Sequence, residues 1–176
     1  MKTTGVIRRI DELGRIVVPK EIRRNLRIRD GESLEIFVEN DFVALKKYSP
    51  MGDLEEFSKV LVDAVYSSLK SNIMISNRDN IIAIAGPLKK KYLGKPISSF
   101  LEGAIENRDN YTLKEVKELE LSSGIYEKGL MTLSTIIVNG DPVGLVLILS
   151  QDNRISEADE KIINIISQFL GKHIEE

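Results

Sequence analysis

At 176 residues the chain has room for one large domain or two small ones, and 42% apolar with 30% charged residues is the balance of a folded globular protein. Cysteine is absent, which excludes disulfides, thiolate metal sites and cysteine catalysis. The net charge of −2 hides an asymmetry: residues 1–50 carry 11 basic and 8 acidic side chains, whereas the remainder carries 14 basic and 19 acidic ones. A basic segment joined to an acidic one points to a polyanion-binding part and a regulatory or solvating part.

The opening segment, MKTTGVIRRI, has no apolar stretch of the kind a secretory signal needs. The longest apolar run, Val143–Leu149, is interrupted by Gly144 and is far shorter than the ~20 residues that cross a bilayer. The expected location is the cytoplasm, with no membrane partner.

In chain order, Gly5–Ile10 and Arg15–Val18 are short β-branched runs separated by the turn-forming Asp11–Gly14. Pro19 suits the first position of a helix, and Lys20–Arg27 carries Ile22 and Leu26 four apart on one stripe. Asp30 and Gly31 mark a turn, and Ser33–Glu39 and Phe42–Tyr48 are predicted strands joined at Asn40 and Asp41. Four short strands and one short helix bury little apolar surface alone, and their free edges invite pairing with another chain. Dimerisation is therefore expected to be part of this fold.

Residues 49–52 (SPMG) are the expected linker. Asp53, with Glu56 three residues on, is expected to cap a helix to about Leu69, with Leu54, Phe57, Leu61, Ala64, Val65 and Leu69 on one broad face. Asn72–Ser76 and Ile81–Ala85 are predicted strands around a turn at Asn77–Asn80, and Ser98 or Ser99 caps a helix bearing Phe100, Leu101, Ala104 and Ile105. Asp109–Leu121 is ambiguous between a charged helix and an irregular strand. Leu130–Val138 and Val143–Ser150 are predicted as a hairpin through Asn139 and Gly140, and Ser156 with Asp159 caps a last helix. Ile162, Ile163, Ile165, Ile166, Phe169 and Leu170 make that helix apolar over more of its girth than one core contact requires, which predicts a partner on a second side.

No nucleophile elbow, phosphate-binding loop or zinc-protease motif occurs, and the single histidine, His173, is among the last four residues. No catalytic residue, metal or cofactor is expected, so the chain is read as a non-enzyme. The chemistry lies instead in the first 29 residues, where nine basic side chains, seven of them Arg, face three acids. The planar guanidinium fork suits phosphate oxygens and guanine edges.

The segment GVIRRIDELGRIVVPKEIRRNLRI, followed by GESLEIFVENDFVALKKY, resembles the swapped-hairpin DNA-binding domain of the AbrB family of transition-state regulators. The resemblance implies an α+β chain: an intertwined β-barrel dimer over residues 1–50, followed at 53–176 by a GAF-like α/β domain. It implies a cytoplasmic regulator of sporulation genes, acting in the forespore, that activates and represses through double-stranded DNA. By position, it assigns DNA contact to Arg8, Arg15, Arg23 and Arg24, with Arg9 also at a basic position and Lys2 and Lys20 as weaker candidates; Arg27 and Arg29 are expected to face solvent. The GAF-like domain lacks the cysteine of covalent bilin binders and the motif of cyclic-nucleotide binders. It is expected to oligomerise through its first and last helices, giving a homotetramer, or to bind an unidentified small-molecule effector whose contacts the sequence does not name. The alternative is an antitoxin-like DNA-binding module, since the same swapped hairpin also neutralises toxins.

Overall fold

The computed structural model describes residues 5–49, 51, 54–151 and 154–175. Its contacts divide the chain into two compact units, Met1–Tyr48 and Ser49–Glu176.

The N-terminal unit contains α1 (Lys20–Asn25), β1 (Leu34–Glu39) and β2 (Phe42–Lys47). Helix α1 follows Pro19 and stops two residues before the predicted Arg27, where the chain turns to a left-handed φ of 51°. Strands β1 and β2 form an antiparallel hairpin whose tight turn uses Asn40 at a φ of 50°. The register places Ile36 opposite Leu45 and Val38 opposite Val43, so one face of this ribbon is a continuous apolar patch, 42–76% exposed residue by residue. The two runs predicted as strands, Gly5–Ile10 and Arg15–Val18, are not strands within the single chain. They flank a turn closed by hydrogen bonds from Asp11 N to Arg15 O and from Gly14 N to Asp11 O. Strand pairing needs a neighbouring edge, and among the described residues none of the unit's other strands pairs with them.

The second unit is built on a six-stranded antiparallel sheet. Its main path runs β4 (Ile81–Ala85), β3 (Asn72–Asn77), β8 (Asp141–Ser150), β7 (Ile125–Val138) and β5 (Asn110–Thr112), and β6 (Lys117–Ser122) pairs with the first half of β7. The ambiguous stretch 109–121 therefore resolves into parts of two strands on the same partner: Asn110 lies opposite Ser134 and Lys117 opposite Gly129. The three residues of β5 are too few to show a period, and the Glu–Leu alternation of β6 spans only Glu118–Leu121 within a charged stretch, which is why the residue pattern leaves them undecided.

Helices α2 (Glu55–Leu69) and α5 (Glu157–Glu175) cover one face of the sheet, over a core that includes Val62, Ile73, Ile75, Ile136, Ile163 and Leu170. The short α3 (Lys89–Tyr92), with α4 (Ser99–Glu106) and the sheet's opposite face, encloses a second core around Tyr92, Leu101, Met131, Leu133 and Leu147. Ser98 caps α4, accepting from Leu101 N. Ser156 and Asp159 form the predicted capping box of α5: Ser156 Oγ accepts from Asp159 N, and Asp159 Oδ2 accepts from Ser156 N at 2.7 Å. The predicted cap of α2, Asp53, lies outside the described residues.

Of the face predicted for this segment, Leu54, Leu61, Val65 and Leu69 pack on the core, whereas Phe57 and Ala64 face outward with Val60, and the fully buried positions of α2 are Ser58 and Val62. An apolar stripe wider than the sheet contact leaves the helix rotation to packing. On the outer side Phe57, Phe169 and His173 stack, with ring centroids 5.7–5.8 Å apart, beside the 64% exposed Ile165. The wide apolar girth of α5 is real, and part of it lies on the surface.

Candidate nucleic-acid interface

The arginine segment begins with a rigid turn. Asp11 Oδ1 accepts from the backbone N–H of Leu13 at 3.0 Å and of Arg15 at 2.8 Å, while its Oδ2 holds Arg15 Nε at 2.8 Å. One carboxylate thus shapes the turn and aims the guanidinium that follows it. The hydrogen bonds from Arg15, backbone then side chain, hold the Asp11 carboxyl below its ordinary range. The Arg15 side chain remains 71% exposed, so its terminal N–H groups are open to a ligand.

Arg23 and Arg24 sit on α1. Arg23 is half-buried and its Nη1 pairs with Asp30, whose own side chain is 92% exposed. Its Nε is buried and meets no acceptor. Arg24 is exposed on the same turn of helix. Among the described residues Arg8, Arg9, Lys20 and Arg24 form no salt bridge, and all four are exposed. A run of cations without counter-charges repels itself, and phosphate relieves that repulsion.

Arg29 departs from expectation. It is half-buried, and its Nη1 reaches Glu32 Oε1 at 3.3 Å while Lys47 reaches the other carboxylate oxygen at 3.4 Å. This charge cluster ties the helix exit to β2. Arg27 is exposed, as expected. Lys2 lies outside the described residues. Two positioning acids, Asp11 and Asp30, escape a search for basic residues alone. The four-residue spacing of Asp11 and Arg15 is a readable signal, whereas the seven-residue spacing of Arg23 and Asp30 is not.

Among the described residues no group of three His, Asp or Glu side chains is placed to hold an ion, and no helix is long and apolar enough to cross a membrane.

Against known proteins, residues 53–175 match the family described as stage V sporulation protein T C-terminal, transcription factor. Over the full length of both chains the sequence is 46% identical to stage V sporulation protein T of Bacillus subtilis (strain 168). The chain belongs to the stage V sporulation protein T family of transcription factors. Residues 7–53 match the family described as antidote-toxin recognition MazE, bacterial antitoxin. A stretch of 50 residues is 52% identical to the transition state regulatory protein AbrB of B. subtilis, covering 28% of this chain and 52% of that one. The N-terminal domain is therefore of the AbrB type. The GAF domain of an Acinetobacter phosphoenolpyruvate-protein phosphotransferase superposes with a TM-score of 0.53 over 73% of this chain and 84% of that one, at 15% identity. That likeness speaks to fold alone, and the C-terminal fold is GAF-like.

Proposed function

We propose that the chain is a DNA-binding regulator of sporulation genes, activating at some and repressing at others. In this reading it grips double-stranded DNA through Arg8, Arg15, Arg23 and Arg24, with Arg9 and Lys20 beside them. The carrying observation is the Asp11–Arg15 turn: an acid fixes the backbone and one edge of a guanidinium, and leaves the remaining donors in solvent. A side chain ordered in advance loses less entropy on meeting phosphate.

Dimerisation through the N-terminal unit is part of the same reading, because the unit has no core of its own. The exposed stripe of Phe57, Ile165 and Phe169 supports a second contact through α2 and α5 and hence a homotetramer. The GAF-like unit then serves assembly and the sensing of an effector. The setting is the cytoplasm, in the forespore compartment. The antitoxin reading is weaker, since residues beyond the swapped-hairpin segment fold into a sheet and helices instead of a tail that wraps a toxin.

Four arginines per chain, doubled by the dimer, neutralise up to about eight phosphates and give a log–log salt slope near −7. A slope shallower than about −2 in equilibrium binding across salt concentrations would refute the arginine surface. Arg15→Ala and Arg24→Ala are each expected to weaken all sites by similar factors, because phosphate contacts carry no sequence information. A variant that alters only sequence preference would assign that arginine to a base edge.

A further inference from the structure

Helix α5 has three sides. One packs on the sheet through Ile163, Ile166 and Leu170, and a second carries the exposed Ile165 and Phe169. The third, bearing Asn164, Gln168 and Lys172, looks across a cleft of about 420 Å³ at Arg108, Asn110 and Ser134 on β5, β7 and the turn before them. That volume lies within the range of small-molecule sites.

The seam beneath this cleft is polar where the rest of the helix–sheet contact is apolar. Ser134 and Ser167, each 3% exposed, share a hydrogen bond of 2.8 Å. The Thr135 hydroxyl donates to Asp109 O at 2.9 Å, and Asn110 Nδ2 donates to Asn164 Oδ1 at 2.7 Å. Burying the hydroxyls of Ser134, Thr135 and Ser167 in a helix–sheet seam costs desolvation that Val or Ala in the same places would avoid, while the Asn110–Asn164 bond lies at the seam's exposed edge. The Asn110–Asn164 bond also uses only part of each amide: the Asn164 amide N–H groups and the Asn110 oxygen remain available.

The charges at the rim are uneven in their commitments. Arg108 holds a left-handed backbone, φ 59°, that non-glycine residues adopt at a cost, and its Nη2 is pinned to Gly140 O at 2.7 Å. Lys172 is exposed and forms no salt bridge among the described residues. The two acids of the lining pair with neither cation: Glu175 Oε1 accepts from Asn139 N at 2.6 Å, and Asp109 lies near the half-buried Tyr111, whose hydroxyl burial and then Asp109 hold above its ordinary pKa. Two cations without ion-pair partners, with the carboxylates of Asp109 and Glu175 also in the lining, thus stand over a floor of hydrogen-bonding side chains.

We propose that this cleft binds a small organic anion. Its carboxylate or phosphate group sits between Arg108 and Lys172, and its body is read by the amides of Asn110 and Asn164. The proposal deepens the sensing part of the function above and shares α5 with the exposed apolar stripe, so occupancy acts on the helix proposed to join two dimers.

The test uses the full-length protein with inorganic phosphate and, separately, succinate as probes, following the side-chain amide resonances of Asn110 and Asn164 by NMR. A saturable shift is expected with at least one probe; phosphate alone indicates a phosphoryl ligand, and succinate alone a carboxylate. Lys172→Gln, which removes a charge without an internal partner, is expected to weaken that binding by about tenfold with an unchanged melting temperature in the absence of probe. Arg108→Gln is expected to abolish binding, with Lys172→Gln as the readable variant if Arg108→Gln fails to fold. Absence of a saturable shift with both probes, or a shift equally strong in Lys172→Gln, overturns the proposal. DNA binding of wild type and Lys172→Gln without probe is measured in parallel. Its loss in both would refute the regulator reading, whereas its retention isolates any failure to the cleft.

Discussion

The two units of this chain solve the burial problem in opposite ways. In the C-terminal unit one sheet is covered on both faces, and its two cores hold residues such as Leu133, Leu147, Ile148 and Leu170 at 0% exposure. In the N-terminal unit not one described residue is buried, and thirteen large hydrophobic side chains there are exposed, from Val6 to Tyr48. Both units obey the same hydrophobic patterning, so the difference lies in chain length and topology. A segment of 48 residues with one hairpin and one short helix has no second layer to place over Ile36, Val38, Val43 and Leu45, each worth about 1.5–3 kcal/mol on full burial. The second layer has to come from another copy. In the reading proposed above, what looks like an unfinished domain is half of a dimer, and that dimer would set two copies of the arginine segment side by side.

The sharpest way to break this comparison is a charge on the exposed ribbon. Val38→Asp is expected to abolish N-terminal dimerisation and reduce DNA affinity by about 100-fold or more, because the cost of burying an unpaired carboxylate exceeds what the interface can absorb. Calorimetry of the full chain should show the C-terminal transition unmoved. If Val38→Asp binds DNA like wild type, the ribbon face is not an interface.

A smaller effect is expected from the complementary change in the other unit. Gly171 lets α5 lie against the backbone of β7 at Ile137, where a Cβ would collide with the Ile137 carbonyl. Gly171→Val should destabilise the C-terminal transition by about 1–3 kcal/mol and leave DNA affinity of the folded protein within about twofold. A variant that melts like wild type would show that the helix can lift from the sheet without loss.

The smallest effect concerns the Asp11 turn. Its carboxyl is held below its ordinary value by Arg15, so its contribution is fully present above about pH 4 and is lost as pH falls through the depressed value. Asp11→Asn is expected to flatten the acid limb of the N-terminal transition and, at neutral pH, to lower DNA affinity modestly by releasing Arg15. An acid limb identical in wild type and variant would separate the turn from stability.

Much of this was legible in the residues, for reasons that can be named. The Asn139–Gly140 hairpin was readable because two long apolar strands bracket it, and Asn139 does adopt a positive φ of 48°. The Ser156–Asp159 box was readable because a cap is a local interaction over three residues. Strands β5 and β6 were not readable, since three residues carry no period, the short Glu–Leu alternation of β6 is lost in a charged stretch, and the pairing of β5 with β7 joins residues about twenty positions apart. The face of α2 is legible only in part: Leu61, Val65 and Leu69 pack on the core as the apolar stripe predicts, but Phe57 fits that stripe as well as they do, and only the sheet beneath selects Ser58 and Val62 for full burial. Among the candidate site residues, exposure of Arg8, Arg9, Lys20 and Arg24 followed from charge. The inward turn of Arg23 toward Asp30 and the engagement of Arg29 by Glu32 did not, because ion-pair partners are chosen by folded geometry.

The sequence by itself determined the family, the two-part organisation, the arginine segment and the capped helices, since each is written in neighbouring residues or in charge balance. Only the tertiary structure decided which arginines are already held by acids, which side of α5 faces solvent and that a polar cleft lies along its third side. The cleft depends on Arg108 meeting Asn164 and Lys172, more than fifty positions further along the chain, which happens only when the sheet and its covering helix close together.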